Sequence, residues 1–254
     1  MLGAMIGDIV GSVYEWHNIK TTDFEFFKPN CTFTDDTVLT AATAQALLTD
    51  GDYARAYQDF SRRYPGRGYG GRYAQWIWAE DPQPYYSWGN GSAMRVSPVG
   101  FAFDTVEEVL AEAKRSAAVT HNHPEGIKGA QATALAILLA RQGADQAALR
   151  DEINGRFGYD LSRTLDEIRP GYQFNESCQQ TVPEAITSFL ESTSFENAIR
   201  LAISLGGDSD TLANITGGIA EAFYGIPEEI AEKAKTFLPD EFLRIVEDFG
   251  KRKA

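Results

Sequence analysis

Three glycines, Gly3, Gly7 and Gly11, recur at every fourth residue in a stretch whose apolar residues Leu2, Met5, Ile6, Ile9, Val10 and Val13 follow helical spacing. Glycine inside a helix costs roughly 0.5–1 kcal/mol relative to alanine. A stripe of them therefore needs a spatial reason, and close packing against a neighbouring element supplies one. The spacing predicts a helix over residues 2–16 with one bare face. Asp8, Gly11 and Glu15 fall on one side of that helix, although Glu15 alone reads first as a solvated helix end.

Helical periodicity continues through most of the chain. Asp36 to Leu48 follows it and stops before Gly51. Thr105 and Glu108 form a capping-box pattern ahead of Val109, Leu110 and Ala113. Gly129 to Gln142 is rich in Ala and Leu, and Ser194 to Leu205 ends at Gly206-Gly207. Leu212 to Tyr224, a start at Pro227, and Glu241 to Phe249 complete the set. Alternating strand patterns are absent. The expected class is all-α: a compact, orthogonal multi-helix fold, as one domain over residues 1–254. With 43 % hydrophobic and 23 % charged residues, the composition is that of a soluble globular protein.

Two short acidic signatures stand before helical runs. In "FTDDTVL", Thr34, Asp35, Asp36 and Thr37 precede the first; in "GGDSDTLANITGG", Asp208, Asp210 and Thr211 precede the second. Either can be a helix N-terminus favoured by capping and the helix dipole. If the two N-termini converge, four aspartates share one small volume, and their repulsion requires compensation by cations. Oxygen-only donors suit Mg²⁺ or Mn²⁺ rather than zinc.

The segment from Pro65 to Arg95 breaks the pattern with Gly, Pro and aromatics. It reads as a long irregular loop of functional origin. Within it "RGYGGR" is either a plain turn or a cradle of unshielded backbone N–H groups for phosphate. "WGNGSAMR" is a second glycine-rich turn. "THNHPEG" holds two of the three histidines, without a further nitrogen or sulfur ligand nearby for zinc.

In this order, "GDIVGSVYE", "FTDDTVL", "RGYGGR", "WGNGSAMR", "THNHPEG" and "GGDSDTLANITGGIAEAFYG" resemble the ADP-ribosylglycohydrolase family, over most of the chain to about Tyr224. The resemblance implies a cleft holding two divalent cations, Mg²⁺ or Mn²⁺. It implies metal ligands at Thr34, Asp35, Asp36, Asp208, Asp210 and Thr211. Glu15 corresponds to a metal-proximal glutamate and is the expected acid–base residue, with Asp36 as the alternative. Gly68, Tyr69, Gly70 and Gly71 resemble a diphosphate-binding loop. Gly89, Asn90, Gly91 and Ser92 resemble a stretch lining the ADP-ribose cleft, with Trp88 placed to stack on adenine and His121 close to the distal ribose. Glu221 stands where relatives usually carry a small residue.

The implied activity is metal-dependent hydrolysis of the glycosidic bond at the distal ribose, removing ADP-ribose from a protein side chain or small acceptor. The alternatives are a non-catalytic ADP-ribose-binding protein, which would have lost an acid of the site, and a dinuclear-metal hydrolase of another nucleotide-like substrate. A formal net charge of −13 argues against broad binding to nucleic acid or anionic membranes. Nucleic acid enters only as an ADP-ribosylated substrate. The longest apolar run, "ALAILLA", is too short to span a bilayer. Cys31 and Cys178 form no disulfide framework. A cytoplasmic monomer is expected.

Overall fold

The glycine stripe settles how the molecule is put together. In the computed structural model, which describes residues 1–252, helix α1 (Leu2–Gly11) lies backbone to backbone against helix α13 (Ser209–Tyr224). A Cβ on Gly7 would stand 2.0 Å from the Ala213 carbonyl oxygen, and one on Gly217 would stand 2.2 Å from that of Gly3. A Cβ on Gly11 would meet the Asp210 Cα at 2.5 Å. The bare face thus brings the chain's first helix onto the second acidic signature. At the start of α1 the Glu221 carboxylate accepts from the Met1 ammonium (2.5 Å) and the Gly3 N–H (2.7 Å), which gives Glu221 a local role in holding the two helices together.

Among the described residues the regular structure is helical. Between α1 and α13 come α2 (Asp35–Leu48), α3 (Tyr53–Arg63), α4 (Gly71–Trp76), α5 (Gly91–Met94), α6 (Ser97–Ala102) and α7 (Val106–Ala118). Then follow α8 (Pro124–Arg141), α9 (Gln146–Phe157), α10 (Leu165–Ile168), α11 (Cys178–Leu190) and α12 (Phe195–Ser204). Helices α14 (Glu228–Lys235) and α15 (Asp240–Lys251) end the described chain. The all-α expectation holds. The extended pairing present is an isolated antiparallel bridge between Gly89 and Ser177.

Helix α13 is buried from Ser209 to Ala220, and α1, α8, α11 and α12 pack around it. A helix that is apolar nearly all round belongs in a core; residues 212–220 are buried throughout, with Asn214 and Thr216 as the polar members. At the other end Phe242 of α15 is enclosed by Phe33, Tyr64 and Phe60, with ring centroids 5.4, 4.7 and 6.2 Å away, and so fixes α15 on α2 and α3. The expected capping box of α7 is present: Thr105 and Glu108 bond reciprocally.

Two expectations need correction. The first helix ends at Gly11 rather than continuing to residue 16, because the chain turns where its backbone meets Asp210. Glu15 therefore sits on the following turn and not on a helix face shared with Asp8. The segment from Pro65 to Arg95 is not wholly irregular; it contains the short helices α4 and α5.

Candidate active site

The first acidic signature opens α2. Thr34, in extended conformation, is its N-cap residue, and the Thr34 hydroxyl accepts from the Asp36 N–H at 3.3 Å. The same hydroxyl donates to Asp8 Oδ1 at 2.7 Å. Asp8, fully buried in α1, also accepts from the Thr34 N–H (2.9 Å) and the Thr37 N–H (3.0 Å). A carboxylate from α1 thus satisfies the orphan donors at the start of α2. Asp35 and Asp36 are left free for another task. Asp36 Oδ1 is buried with no partner among the described residues.

The second signature opens α13 without a side-chain cap. Gly206 (φ 71°) and Gly207 (φ 75°) take the left-handed conformation just before it. A side chain is strained there, and one at Gly207 would also meet the Tyr172 ring at 2.6 Å. Asn18 clamps this turn. Its Oδ1 accepts from Gly207 N–H (2.7 Å), and its Nδ2 donates to the carbonyls of Gly207 (2.8 Å), Tyr14 (2.7 Å) and Glu15 (2.9 Å). One amide therefore ties the Glu15 turn to the second acidic cluster. Asn90 Nδ2 donates to Asp208 Oδ2 at 2.7 Å and orients that carboxylate.

The two signatures converge. Glu15, Asp35, Asp36, Asp208, Asp210 and Thr211 line one cleft. One carboxylate oxygen from each of Glu15, Asp208 and Asp210 lies within 4.8 Å of the others. The Thr211 hydroxyl donates to Asp36 Oδ2 at 3.3 Å, linking the two helix starts. Burial, and then the charges of Asp210 and Asp8, push Asp35 and Asp36 well above the usual carboxylate range. Burial and Asp208 do the same to Asp210. Burial raises Asp208 to about 6 against the opposing hydrogen bonds with Asp210 and then Asn90. Burial followed by repulsion from Asp210 and Asp8 raises Glu15 to about 7. None of these carboxylates takes part in an ion pair among the described residues. Oxygen donors only, mutual repulsion, an orphaned Asp36 oxygen and no Lys or Arg paired with these acids among the described residues together fit hard divalent cations.

Glycine loops form the rest of the wall. Gly68 (φ 102°) approaches the first cluster so closely that a Cβ would stand 3.1 Å from Asp35 Oδ1. The Asp35 N–H donates to the Arg67 carbonyl at 2.8 Å, so this loop is pinned to the start of α2. Gly70 and Gly71 face open space where a side chain would be, and both line the cleft. Tyr69 lies outside the lining; its hydroxyl donates to the Tyr64 carbonyl (2.8 Å) and its ring stacks on Tyr73.

Gly89, Asn90, Gly91 and the buried His121 line the opposite side. The bridge to α11 holds that turn: Asn90 N–H donates to the Glu176 carbonyl (2.7 Å) and Cys178 N–H to that of Trp88 (2.9 Å). Ser92 lies behind the wall, donating to the Gly126 carbonyl at 2.7 Å. Thr34 lies behind it as well, beside Asp8. Trp88 is outside the lining, half exposed, with its ring edge-on to His123 at 5.5 Å. The aromatic rings that do line the cleft are Tyr73, Tyr85 and Phe174.

Sequence spacing names the two clusters and the glycine loops but not the residues that hold them. Asp8 carries a signal, an acid within the glycine stripe, but its role depends on α1 meeting α2. Asn18, Arg95, Tyr85, Phe174 and Glu176 carry none, because each acts through a neighbour distant in sequence.

A family model described as ADP-ribosylglycohydrolase matches residues 1–253. "ADP-ribosylhydrolase ARH3" of Xenopus tropicalis is 28 % identical over 99 % of this chain and 93 % of its own length. "ADP-ribosylarginine hydrolase Tri1" of Pseudomonas putida (strain GB-1) is 29 % identical over 92 % of this chain and 72 % of its own length. Among solved structures, an "ADP-ribosylglycohydrolase-related protein complex" superimposes with a TM-score of 0.69, at 25 % identity, over 96 % of each chain.

Proposed function

Because the chain belongs to the ADP-ribosylglycohydrolase family and is an enzyme of that class, we propose that it removes ADP-ribose from a modified protein side chain or small acceptor by metal-dependent cleavage of the glycosidic bond at the distal ribose. The observation that carries this reading is the convergence of two acidic helix starts in one cleft, where none of the acids is ion-paired among the described residues.

Glu15, Asp35, Asp36, Asp208, Asp210 and Thr211 would hold two divalent cations, Mg²⁺ or Mn²⁺. Thr34, behind the cleft wall, supports this set: its hydroxyl donates to Asp8 and accepts from the Asp36 N–H. Bound there, such ions supply charge neutralisation and Lewis-acid polarisation of the ribose oxygens and of water. Cleavage at the anomeric carbon develops oxocarbenium character on the sugar. The surrounding carboxylates favour that positive charge electrostatically. Glu15, half-buried at the cleft, takes a proton from the attacking water or returns one to the leaving group. Without metal, burial and repulsion from Asp210 and Asp8 hold Glu15 at about 7; with a cation bound beside it that value would fall, favouring the base role. Asp36 is the alternative base, through its unpartnered Oδ1.

The uncovered backbone at Gly68, Gly70 and Gly71 suits a diphosphate. Asn90 orients Asp208, and His121 faces the ribose end. Tyr85 and Phe174 offer the ring faces for adenine. Arginine-linked ADP-ribose is one acceptor class to test, given the name of the Pseudomonas relative. The site of action proposed is the cytoplasm, where the buried free thiols Cys31 and Cys178 stay reduced.

The test is a hydrolysis panel of arginine-, serine- and asparagine-linked and nucleic-acid-linked ADP-ribose with Mg²⁺, Mn²⁺ or EDTA. Release of free ADP-ribose from at least one linkage, abolished by EDTA and restored by metal, is expected. Turnover unaffected by EDTA, or no release from any linkage, contradicts the proposal.

A further inference from the structure

Beside His121 in the cleft wall lies a buried arginine with no ion pair among the described residues. Arg95 is fully buried, and its guanidinium sits over the Tyr57 ring at 4.2 Å. Its Nη2 donates to the Ser116 carbonyl (3.1 Å) and to Thr120 Oγ1 (2.7 Å), while Nε and Nη1 have no partner among the described residues. Thr120, also fully buried, has its hydroxyl 2.7 Å from His121 Nδ1. We propose that Arg95 and Thr120 are positioning residues that lock His121 as the tautomer carrying its proton on Nε2, aimed at an oxygen of the ligand in the cleft.

The argument is an accounting of protons. A guanidinium only donates, so Thr120 Oγ1 must accept from Arg95. The hydroxyl has one proton of its own and one remaining neighbour, His121 Nδ1. Donation to Nδ1 satisfies every buried group. The other tautomer would make Thr120 accept twice and leave its O–H unsatisfied in a dry site, which is a net cost. An imidazolium would do the same and add a second cation beside the unpaired Arg95 charge. Burial and Arg95 both hold His121 well below its ordinary pKa, in keeping with a neutral ring.

The ring's other edge is open. Nε2 has no hydrogen bond among the described residues and faces the turn Gly89–Gly91. A Cβ at Gly91 would stand 3.1 Å from Nε2, and one at Gly89 3.5 Å. Glycine at these positions leaves the N–H uncovered within the cleft that Arg95 and His121 both line. The tautomer assignment stands on protein contacts alone. Only the nature of the accepting oxygen, a sugar hydroxyl or phosphate of ADP-ribose, rests on the proposed function.

Long-range ¹H–¹⁵N correlation spectra of the imidazole rings test it directly, since the chain has just three histidines. Wild-type His121 is expected as a single Nε2–H tautomer with no ligand present. Thr120→Val removes the hydroxyl and should give a mixture of tautomers, and Thr120→Ser should restore the single form. Calorimetry with ADP-ribose as the probe should show roughly tenfold weaker binding for Thr120→Val, about 1.4 kcal/mol, and near-normal binding for Thr120→Ser. A proton on Nδ1 in the wild type overturns the proposal without any variant. An unchanged Nε2–H tautomer in folded Thr120→Val overturns it too. A locked Nε2–H tautomer in a protein that fails to bind ADP-ribose supports the relay and contradicts the ligand assignment instead.

Discussion

The N-terminus of α2 and the N-terminus of α13 deliver aspartates and a threonine to the same cleft, yet opposite kinds of partner hold them. At α2 the holder is an acceptor. Asp8 gathers the N–H groups of Thr34 and Thr37 and the Thr34 hydroxyl, and so adds a further carboxylate to a crowded site. At α13 the holders are neutral amides. Asn18 clamps Gly207, and Asn90 donates to Asp208. The protonation does not divide along the same line: Asp210 stands well above the carboxylate range, as Asp35 and Asp36 do, and Asp208 alone is raised only to about 6, against its hydrogen bonds with Asp210 and Asn90. Similar sequence signatures therefore provide one half of the site held by a buried carboxylate and one half held by neutral amides.

The largest expected effect comes from removing a carboxylate that both halves share. Asp36→Ala and Asp210→Ala should each reduce hydrolysis to background and abolish saturable Mn²⁺ binding by calorimetry. If only one of them does so, the two clusters do not act as a single site. Next comes Glu15→Gln, which keeps size and hydrogen-bonding shape but not acid–base capacity. At saturating metal it should lower kcat by roughly 10²–10⁴-fold with little change in the Kd for ADP-ribose. Near-normal turnover would move the proton transfer to Asp36.

The two holders should separate in a third experiment. Asp8→Asn turns an acceptor of several bonds into a group that also donates, leaving buried donors at α2 unmet. It should cost about 1–3 kcal/mol of stability per unmet donor, read as a lowered denaturant midpoint. Asn90→Ala, which leaves fewer buried groups unmet, should cost less stability than Asp8→Asn but weaken metal affinity by about 10–100-fold, as is usual when an orienting partner is lost. Equal stability losses for both would erase the contrast drawn here.

The smallest effect is on pH dependence without metal. Folded-state pKa values of about 7 for Glu15 and about 6 for Asp208 lie above the ordinary values of 4.5 and 3.8. Between roughly pH 4 and 7 the folded state then holds more protons than the unfolded chain, so these groups lower stability as pH rises. In EDTA the melting temperature should fall across that window, and saturating Mg²⁺ or Mn²⁺ should flatten the fall. A melting temperature in EDTA that rises or stays level over the same range would show that the acids are balanced by something else.

Much of this was legible in the residues, for reasons that differ by region. The glycine stripe reports a close approach of backbones, and the structure puts α13 there. What spacing does not show is where α1 stops, because Gly11 ends it through contact with Asp210 rather than through a local signal. Helix α11 is similarly hidden, since Pro183 lies inside it and proline reads as a breaker. In the site, the acidic pairs announce themselves as charges without counter-charges. The supporting roles of Asn18 and Asn90 do not, as their partners lie 189 and 118 residues away, although Asn90 itself falls in the expected Gly89–Ser92 stretch. Trp88 shows the opposite failure. An aromatic beside Gly89-Asn90-Gly91 looks placed for a base, but the bridge to α11 fixes its backbone while its ring rests on His123.

The central claim is that the two acidic helix starts form one divalent-cation site. Anomalous difference maps from crystals grown with Mn²⁺ test it most directly. Two peaks are expected between α2 and α13, ligated by oxygens of Asp35 and Asp36 on one side and of Asp208 and Asp210 on the other. Mn²⁺ bound outside this cleft, or a cleft that remains empty of anomalous signal at saturating Mn²⁺, would contradict the account.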